Sequence, residues 1–510
     1  MAHFLFPQKQ GILIYIWERI NKFLLEVPMK YKILLKQHIG APCAPTVKVG
    51  DKVERGACIA EPTGLGAAIH SPFDGEVAAV DETSITIEAS EASSAEDKFV
   101  PLTGSDEKEL IAAAGLVGMG GAGFPTAVKC NVDLKGGYIL VNAAECEPLL
   151  EHNITWIEKN ASTLLDGIKI LKKLCNAKEG VIAIKAKHEE AVKLLADLCA
   201  KEEGIRVHLL PDIYPMGEER AVVREVLGKL LEPTDLPSKA DAVVINVETV
   251  QRVAEAVTKK RPVITKNVSV AGKLKGGTHT RVFMDVPIGT TVGELIERAG
   301  GIDGEYGEII MGGPFTGKAT TLDTPITKTT GGIIVTKPFE DLKGAKVGLL
   351  LCACGGNEER MRDIATKMNG EVVIVEKCKQ AADIKGTLKC ENPGNCPGQA
   401  QKCMNIKKAG CTEILIGNCS DCTNTVMGSA PKLGLNVHHQ TDTVFDTVGK
   451  ERMRYLTKSK TVPQLGEEVA EEASTEGCVY EVTRNEEDGL LHIDIKEGKN
   501  IEIELPLFLQ

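Results

Sequence analysis

The chain has 510 residues, 43% of them apolar and 26% charged, with a formal net charge of −11. That length exceeds what one hydrophobic core supports and implies several domains. The acidic balance and an aromatic content of 4% argue against nucleic acid as the main partner, because they provide neither a basic footprint nor base-stacking platforms.

Residues 1–28 form an N-terminal extension containing "GILIYIWERINKFLLEV", in which Glu18, Arg19 and Lys22 interrupt the apolar run. The run is too broken to span a bilayer, and no small-residue cleavage site follows it. An amphipathic surface helix fits its pattern. The sequence predicts no membrane span and leaves peripheral association open.

Residues 29–95 read as short alternating strands divided by Gly-Asp and Asp-Gly turns. The pattern resembles the barrel-sandwich hybrid of lipoyl-like domains. Its tip, "PTGLGAAIHSP", holds no lysine, so an acyl-carrier role has no residue to perform it.

From residue 96 to 270 the pattern becomes alternating β and α, with the strand "YILVNAAE", the helix "ITWIEKNASTLLDGIKILKKLC", the strand "GVIAIKA" and the strand-like "IRVHLLP". Such alternation predicts a parallel sheet covered on both faces, with ligands at the carboxyl ends of its strands. Within it, "GLVGMGGAGFPTAVKC", residues 115–130, concentrates five glycines ahead of a helix-like stretch. Bare backbone serves a tight connection or the close approach of a ligand. At a helix entry the amides and the dipole would favour an anion such as phosphate. The run is neither a Walker loop nor the dinucleotide fingerprint.

Sixteen cysteines in a chain with no evident export signal point to a reducing cytoplasm. Scattered ones such as Cys43, Cys58, Cys175 and Cys199 read as small buried hydrophobes. Nine lie between residues 352 and 422, and three apolar runs, "KVGLLLC", "EVVIVEKC" and "EILIGNC", each end in one. This predicts a small α/β domain, 341–460, whose thiols gather at one sheet edge, where helix N-termini lower thiolate pKa values. Three chemistries compete. An iron-sulfur cluster would draw on Cys352, Cys354, Cys390, Cys396, Cys419 and Cys422 as metal ligands. A dithiol relay would make Cys419 and Cys422 the catalytic pair. Structural zinc wants two C-x₂-C pairs and only one is present. His438 and His439 read as strand residues. Residues 461–510 form an acidic linker and then a hairpin of "LLHIDI" and "IEIELPL".

The order "GMGGAGFPTAVK", "ILVNAAECEP", "YPMGEER" and "VINVET" resembles the flavin and NADH module shared by RnfC electron-transfer subunits and the 51-kDa NADH-oxidising subunit of respiratory complex I. "VSVAGKLKGGTHTRVFMDVPIGTTVGELIERAGG" resembles the soluble-ligand-binding β-grasp domain that follows in both, here residues 271–340. The fold class implied is a multidomain α/β chain: barrel-sandwich hybrid, Rossmann-like flavin/NADH domain, β-grasp domain and Cys-rich α/β domain. Carried over by position, Gly118, Gly120, Gly121, Ala122 and Gly123 would line the phosphate and ribityl chain of FMN. Phe124 would lie near the nicotinamide, and Lys129 would help neutralise the phosphate. Asn142, Glu145 and Glu147 would surround the isoalloxazine and nucleotide, with Glu218 or Glu219 near NADH and Asn246 and Thr249 completing the pocket. Taken singly, Glu145 and Glu147 read as helix-start acids; their position two residues apart in a Pro-ended loop after a buried strand, downstream of the glycine run, favours the functional reading. An acid of the complex I motif is Ala144 here.

Beyond residue 340 the ferredoxin-type C-x₂-C-x₂-C-x₃-C-P runs of RnfC are absent. "CACGGNEER", "LKCENPGNCPGQ" and "GNCSDCTNTVM" in their place resemble the PrdC electron-transfer proteins of amino-acid-fermenting anaerobes. That resemblance implies a cytoplasmic oxidoreductase component passing electrons from NADH, or another donor, through flavin to the selenoenzyme D-proline reductase. The alternatives are donation to a different reductase, or a non-catalytic scaffold with structural metal.

Overall fold

The computed structural model describes residues 28–90, 98–454, 461–465, 479–484 and 491–497. The expected extension 1–28 therefore lies outside the described residues except for its last, Pro28, which opens the first strand, Pro28–Leu34.

That strand pairs antiparallel with Ser84–Ser90, setting Tyr31 opposite Ile87 and Ile33 opposite Ile85. Alternation turns these four side chains inward. They join Phe73, stacked on Tyr31 at 4.0 Å, in a core enclosed by a four-stranded and a three-stranded sheet.

The next module is an all-parallel sheet in which Ile205–Leu210, Ala177–Lys185, Gly137–Ala143 and Ala242–Asn246 lie side by side in that order. The chain starts on Gly137–Ala143, steps outward twice, then returns to the other side of its first strand. The point where it reverses lies between Gly137–Ala143 and Ala242–Asn246, and crevices open at such reversals beyond the carboxyl ends. Helices His152–Leu174 and Val247–Thr258 bury one face against Ile139, Val141, Ile182 and Ile245.

The glycine run differs from expectation. It leads into a single turn, Thr126–Lys129, begun by Pro125 with no side-chain cap. One turn carries little macrodipole, so any affinity for an anion must come from the loop amides.

A five-stranded mixed sheet follows. Its strand Thr265–Gly272 straddles the expected boundary at residue 270, pairing parallel to Gly332–Val335 and antiparallel to Arg281–Pro287. Helix Val292–Arg298, opened by a Thr291/Glu294 capping box, covers it.

The cysteine-rich region builds a second parallel sheet, ordered Glu371–Lys377, Lys346–Leu351, Glu413–Ile416 and Asn436–His439. It reverses between Lys346–Leu351 and Glu413–Ile416. Residues 463–510 separate as a second compact unit. There Leu491–Glu497 pairs antiparallel with Val479–Arg484. The partner expected for it, 501–507, lies outside the described residues. Among the described residues no helix is long and apolar enough to cross a membrane.

Candidate functional site

Asn142 and Asn246 end adjacent parallel strands and stand opposite one another in register, at the first sheet's reversal. Asn246 also caps helix Val247–Thr258, its Oδ1 accepting the Glu248 amide at 2.9 Å. Its side-chain amide meets the glycine run: a Cβ on Gly120 would stand 2.4 Å from Asn246 Nδ2. One turn on, the buried Thr249 hydroxyl accepts the Met119 amide at 3.0 Å. Asn142 Nδ2 donates to Gly217 O at 2.8 Å, tying the strand end to the "YPMGEER" loop. Six expected residues are thus assembled by direct contact or adjacency: Gly118, Gly120, Gly121, Asn142, Asn246 and Thr249.

The crest of the loop is open. Gly120, Gly121 and Ala122 are exposed, and a Cβ on Gly121 meets no atom within 4 Å. Among the described residues the Gly120 and Ala122 amides find no protein acceptor. Gly123, at φ +75°, needs glycine to turn the loop; its carbonyl accepts the Ile39 amide at 3.0 Å, and the half-buried Phe124 closes the loop on Gly118 N. Free amides around an open crest fit an anionic phosphate.

The charged candidates are already engaged. Lys129 pairs with Glu219, and Glu218 caps its helix by accepting the Arg220 and Ala221 amides at 2.8 and 3.0 Å. Glu147 accepts three hydrogen bonds, from Phe315 N, Thr316 N and Thr316 Oγ1, at 2.6–2.9 Å. It therefore clamps the strand-end loop to the mixed sheet. Glu145, at φ +36°, accepts only Asn153 within hydrogen-bond range, and burial pushes its carboxyl up to about 7. Asn153, which holds Glu145 from eight residues downstream across a loop, is a contact the sequence did not disclose. A cavity of about 250 Å³ opens at the opposite, amino-terminal sheet edge near Lys108, Cys130 and Asn176. It contains none of these residues.

The second reversal gathers sulfur. Cys352, Cys354, Cys378, Cys390, Cys419 and Cys422 share one buried cluster, with Cys396 packed against it. Cys378 was not among the expected ligands, yet it directly follows the strand Glu371–Lys377, its amide donating to Leu351 O at 2.9 Å, and its place after an apolar run was the available signal. Cys403 and Cys411 pack elsewhere, among aliphatic side chains.

Helix termini do not lower the thiols of Cys419 and Cys422 as expected. Both are pushed up, first by the neighbouring Cys352 and then, for Cys422, by further thiols and burial. Cys352 instead is pushed well below the usual thiol range by Cys354, Cys378, Cys419 and Cys422 around it. One thiolate ringed by thiol donors is favoured over several thiolates in contact. On the flank, Cys422 together with Thr425, Gln399 and the Gly398 amide holds Cys396 at about 6 despite partial burial. His439 bonds to Asn418 O and Thr441, and His438 to Glu413, so both are committed within the fold.

No three His, Cys, Asp or Glu side chains among the described residues converge on a single ion. An iron-sulfur cluster spreads four thiolates around a larger body, and the buried sulfur set fits that donor chemistry.

The two reversals touch. Tyr214, from the "YPMGEER" loop, donates its hydroxyl to Cys354 O at 2.5 Å and its amide to Ser420 Oγ at 3.0 Å. Its ring stacks on Phe315 at 3.7 Å and 5°. Arg224 reaches Asn392 Oδ1 and Pro393 O at 2.7 and 2.6 Å. Cys146, between the two glutamates, packs against the sulfur cluster.

Comparison with known proteins agrees with this architecture. Residues 19–95 match the RnfC barrel sandwich hybrid domain, starting ten residues before the expected boundary, and residues 111–255 match the Nuo51 FMN-binding domain. One subunit of the Na(+)-translocating ferredoxin:NAD(+) oxidoreductase complex of Acetobacterium woodii is 30% identical, over 59% of this chain and 72% of its own length. The chain belongs to the RnfC-like family. Cobalamin reductase PduS of Salmonella typhimurium is 33% identical, over 63% of this chain and 67% of its own. The corresponding subunit of the ion-translocating oxidoreductase complex of Rhodobacter capsulatus is 31% identical, over 64% and 67%. This RnfC-like chain spans 67% to 72% of the length of these relatives. It is an oxidoreductase with an FMN-binding domain.

Proposed function

We propose that this RnfC-like chain takes electrons from NADH at the first strand reversal and passes them through the sulfur centre at the second to a partner reductase. FMN at the glycine run would supply the conversion of a hydride into single electrons. The loop amides of Gly118 to Gly123 would hold its phosphate. Asn142 and Asn246 would position the ring above the sheet edge, and Thr249 would keep the loop closed on them. Glu145, with its raised pKa, would hold the proton that accompanies reduction at its Oε1, while Oε2 accepts from Asn153. Lys129 is committed to Glu219, so it supports the loop and the amides serve the phosphate. Glu218 or Glu219 would meet NADH only by giving up its present partner.

Four of the buried cysteines, Cys352, Cys354, Cys378 and Cys419, would hold an iron-sulfur cluster. The observation that carries the reading is the Tyr214 contact, which joins the flavin-domain loop directly to the cysteine strands. Two redox sites placed back to back suit a relay and have no evident use in a scaffold.

D-proline reductase as the acceptor is supported by the resemblance of the cysteine segments to PrdC proteins, with another reductase as the alternative. The first test is an anaerobic absorption spectrum with flavin and iron analysis of the purified chain. Yellow flavin and about four irons per chain are expected, and a colourless, zinc-bearing protein would sink the proposal. The second is reconstitution: NADH-driven reduction of D-proline should require this chain and fall with Cys419→Ser. Unchanged turnover without it would remove the assigned partner.

A further inference from the structure

We propose that Cys396 and Cys422 form an exchange dithiol through which electrons leave this chain, with a disulfide on a partner protein as the substrate. Cys396 is half-buried, whereas the six sulfurs at the core of the cluster belong to residues only 1–9% exposed. Its loop is latched to helix Ser420–Met427: the Cys396 amide donates to Asp421 Oδ2 at 2.6 Å, and its sulfur lies 3.2 Å from Thr425 Oγ1. Thr425 is one turn beyond Cys422, so the two share a helix face and Cys396 is brought to the sulfur of Cys422. The Gly398 amide and Gln399 Nε2 also point at the Cys396 sulfur, each at 3.4 Å. Donors converging on one accessible sulfur prepare it as a nucleophile, and a second thiol behind it prepares it for resolution.

The step balances. The Cys396 thiolate attacks one sulfur of the partner's disulfide; that bond breaks, its leaving thiolate takes a proton from solvent, and a mixed disulfide forms. Cys422 releases its proton to solvent and attacks the Cys396 sulfur, freeing the second partner thiol and leaving a Cys396–Cys422 disulfide. The partner gains two electrons and two protons. The same number, drawn from NADH-reduced flavin, restores the dithiol, and only this last stage rests on the reading above.

The test uses the full chain, reduced and desalted under anaerobic conditions, and oxidised glutathione as the probe, so neither flavin nor NADH is needed. Wild type should release glutathione and yield a Cys396–Cys422 disulfide by peptide mass mapping. Cys422→Ser should trap one glutathione on Cys396. Cys396→Ser and Cys396→Ala should both slow exchange about tenfold or more. Exchange at wild-type rate in both Cys396 variants, or a disulfide mapping to other cysteines, would overturn the proposal. A chain that lacks flavin yet exchanges in this way would retire the NADH reading and leave the dithiol standing.

Discussion

At the scale of single residues, two neighbouring glycines separate binding from folding. A side chain on Gly121 enters open space, while one on Gly120 collides with Asn246. Gly121→Leu should therefore fold with an unchanged melting temperature and lose flavin. Gly120→Leu should lose flavin and stability together, because the Asn246 cap of the following helix is displaced, at a cost of about 1 kcal/mol. Flavin content and thermal unfolding, measured on both variants, separate the two effects. Glu145 carries a pH signature. Burial raises its carboxyl from 4.5 to about 7 in the folded chain, so the folded state binds the proton more tightly than the unfolded state. Its contribution is complete below the unfolded pKa and is lost as pH climbs through 7, by at most about 3 kcal/mol. Glu145→Gln should flatten the fall in melting temperature between about pH 5 and about pH 8. An unaltered slope would show that another group is responsible.

At the scale of elements, the loop 211–218 holds two domains together. Tyr214→Phe keeps the stack on Phe315 and loses the hydrogen bond to Cys354 O, a cost of about 1 kcal/mol. Tyr214→Leu also removes the stacked ring from a buried site, at about 3 kcal/mol. Urea unfolding should rank wild type, Phe, then Leu. The flavin content of the Phe variant should match wild type, since the hydroxyl's hydrogen bond goes to Cys354 O on the cysteine-rich side. Strands were legible from apolar runs and the long helices from their periodicity, whereas the single turn Thr126–Lys129 was not. A Pro-Thr start suits either a long helix or one turn, and here the helix ends at Cys130, whose amide closes the single turn on Thr126 O.

At the scale of the whole molecule, two parallel sheets place their reversals against each other, so the chemistry of one can be removed while the other remains. Cys352→Ser deletes the sulfur that Cys354, Cys378, Cys419 and Cys422 surround. Its expected phenotype is wild-type flavin, lost iron and flavin reduction by NADH without onward transfer. The visible spectrum, iron analysis and stopped-flow kinetics check all three. Loss of flavin as well would mean that the two sites are one folding unit, with Tyr214 as the coupling element.

Composition, strand and helix periodicity, and the ordered motifs determined the fold class, the parallel sheets, and the gathering of cysteines at strand ends, because each is a property of contiguous chain. The tertiary structure decided partners. That Asn142 stands beside Asn246, that Cys378 belongs with Cys352, that Cys396 lies against Cys422, and that Glu147 and Lys129 are committed to protein groups all depend on contacts across tens to hundreds of residues. Spacing along a chain cannot encode them, because strand order within a sheet, and therefore which strand ends meet, is fixed by packing both faces at once.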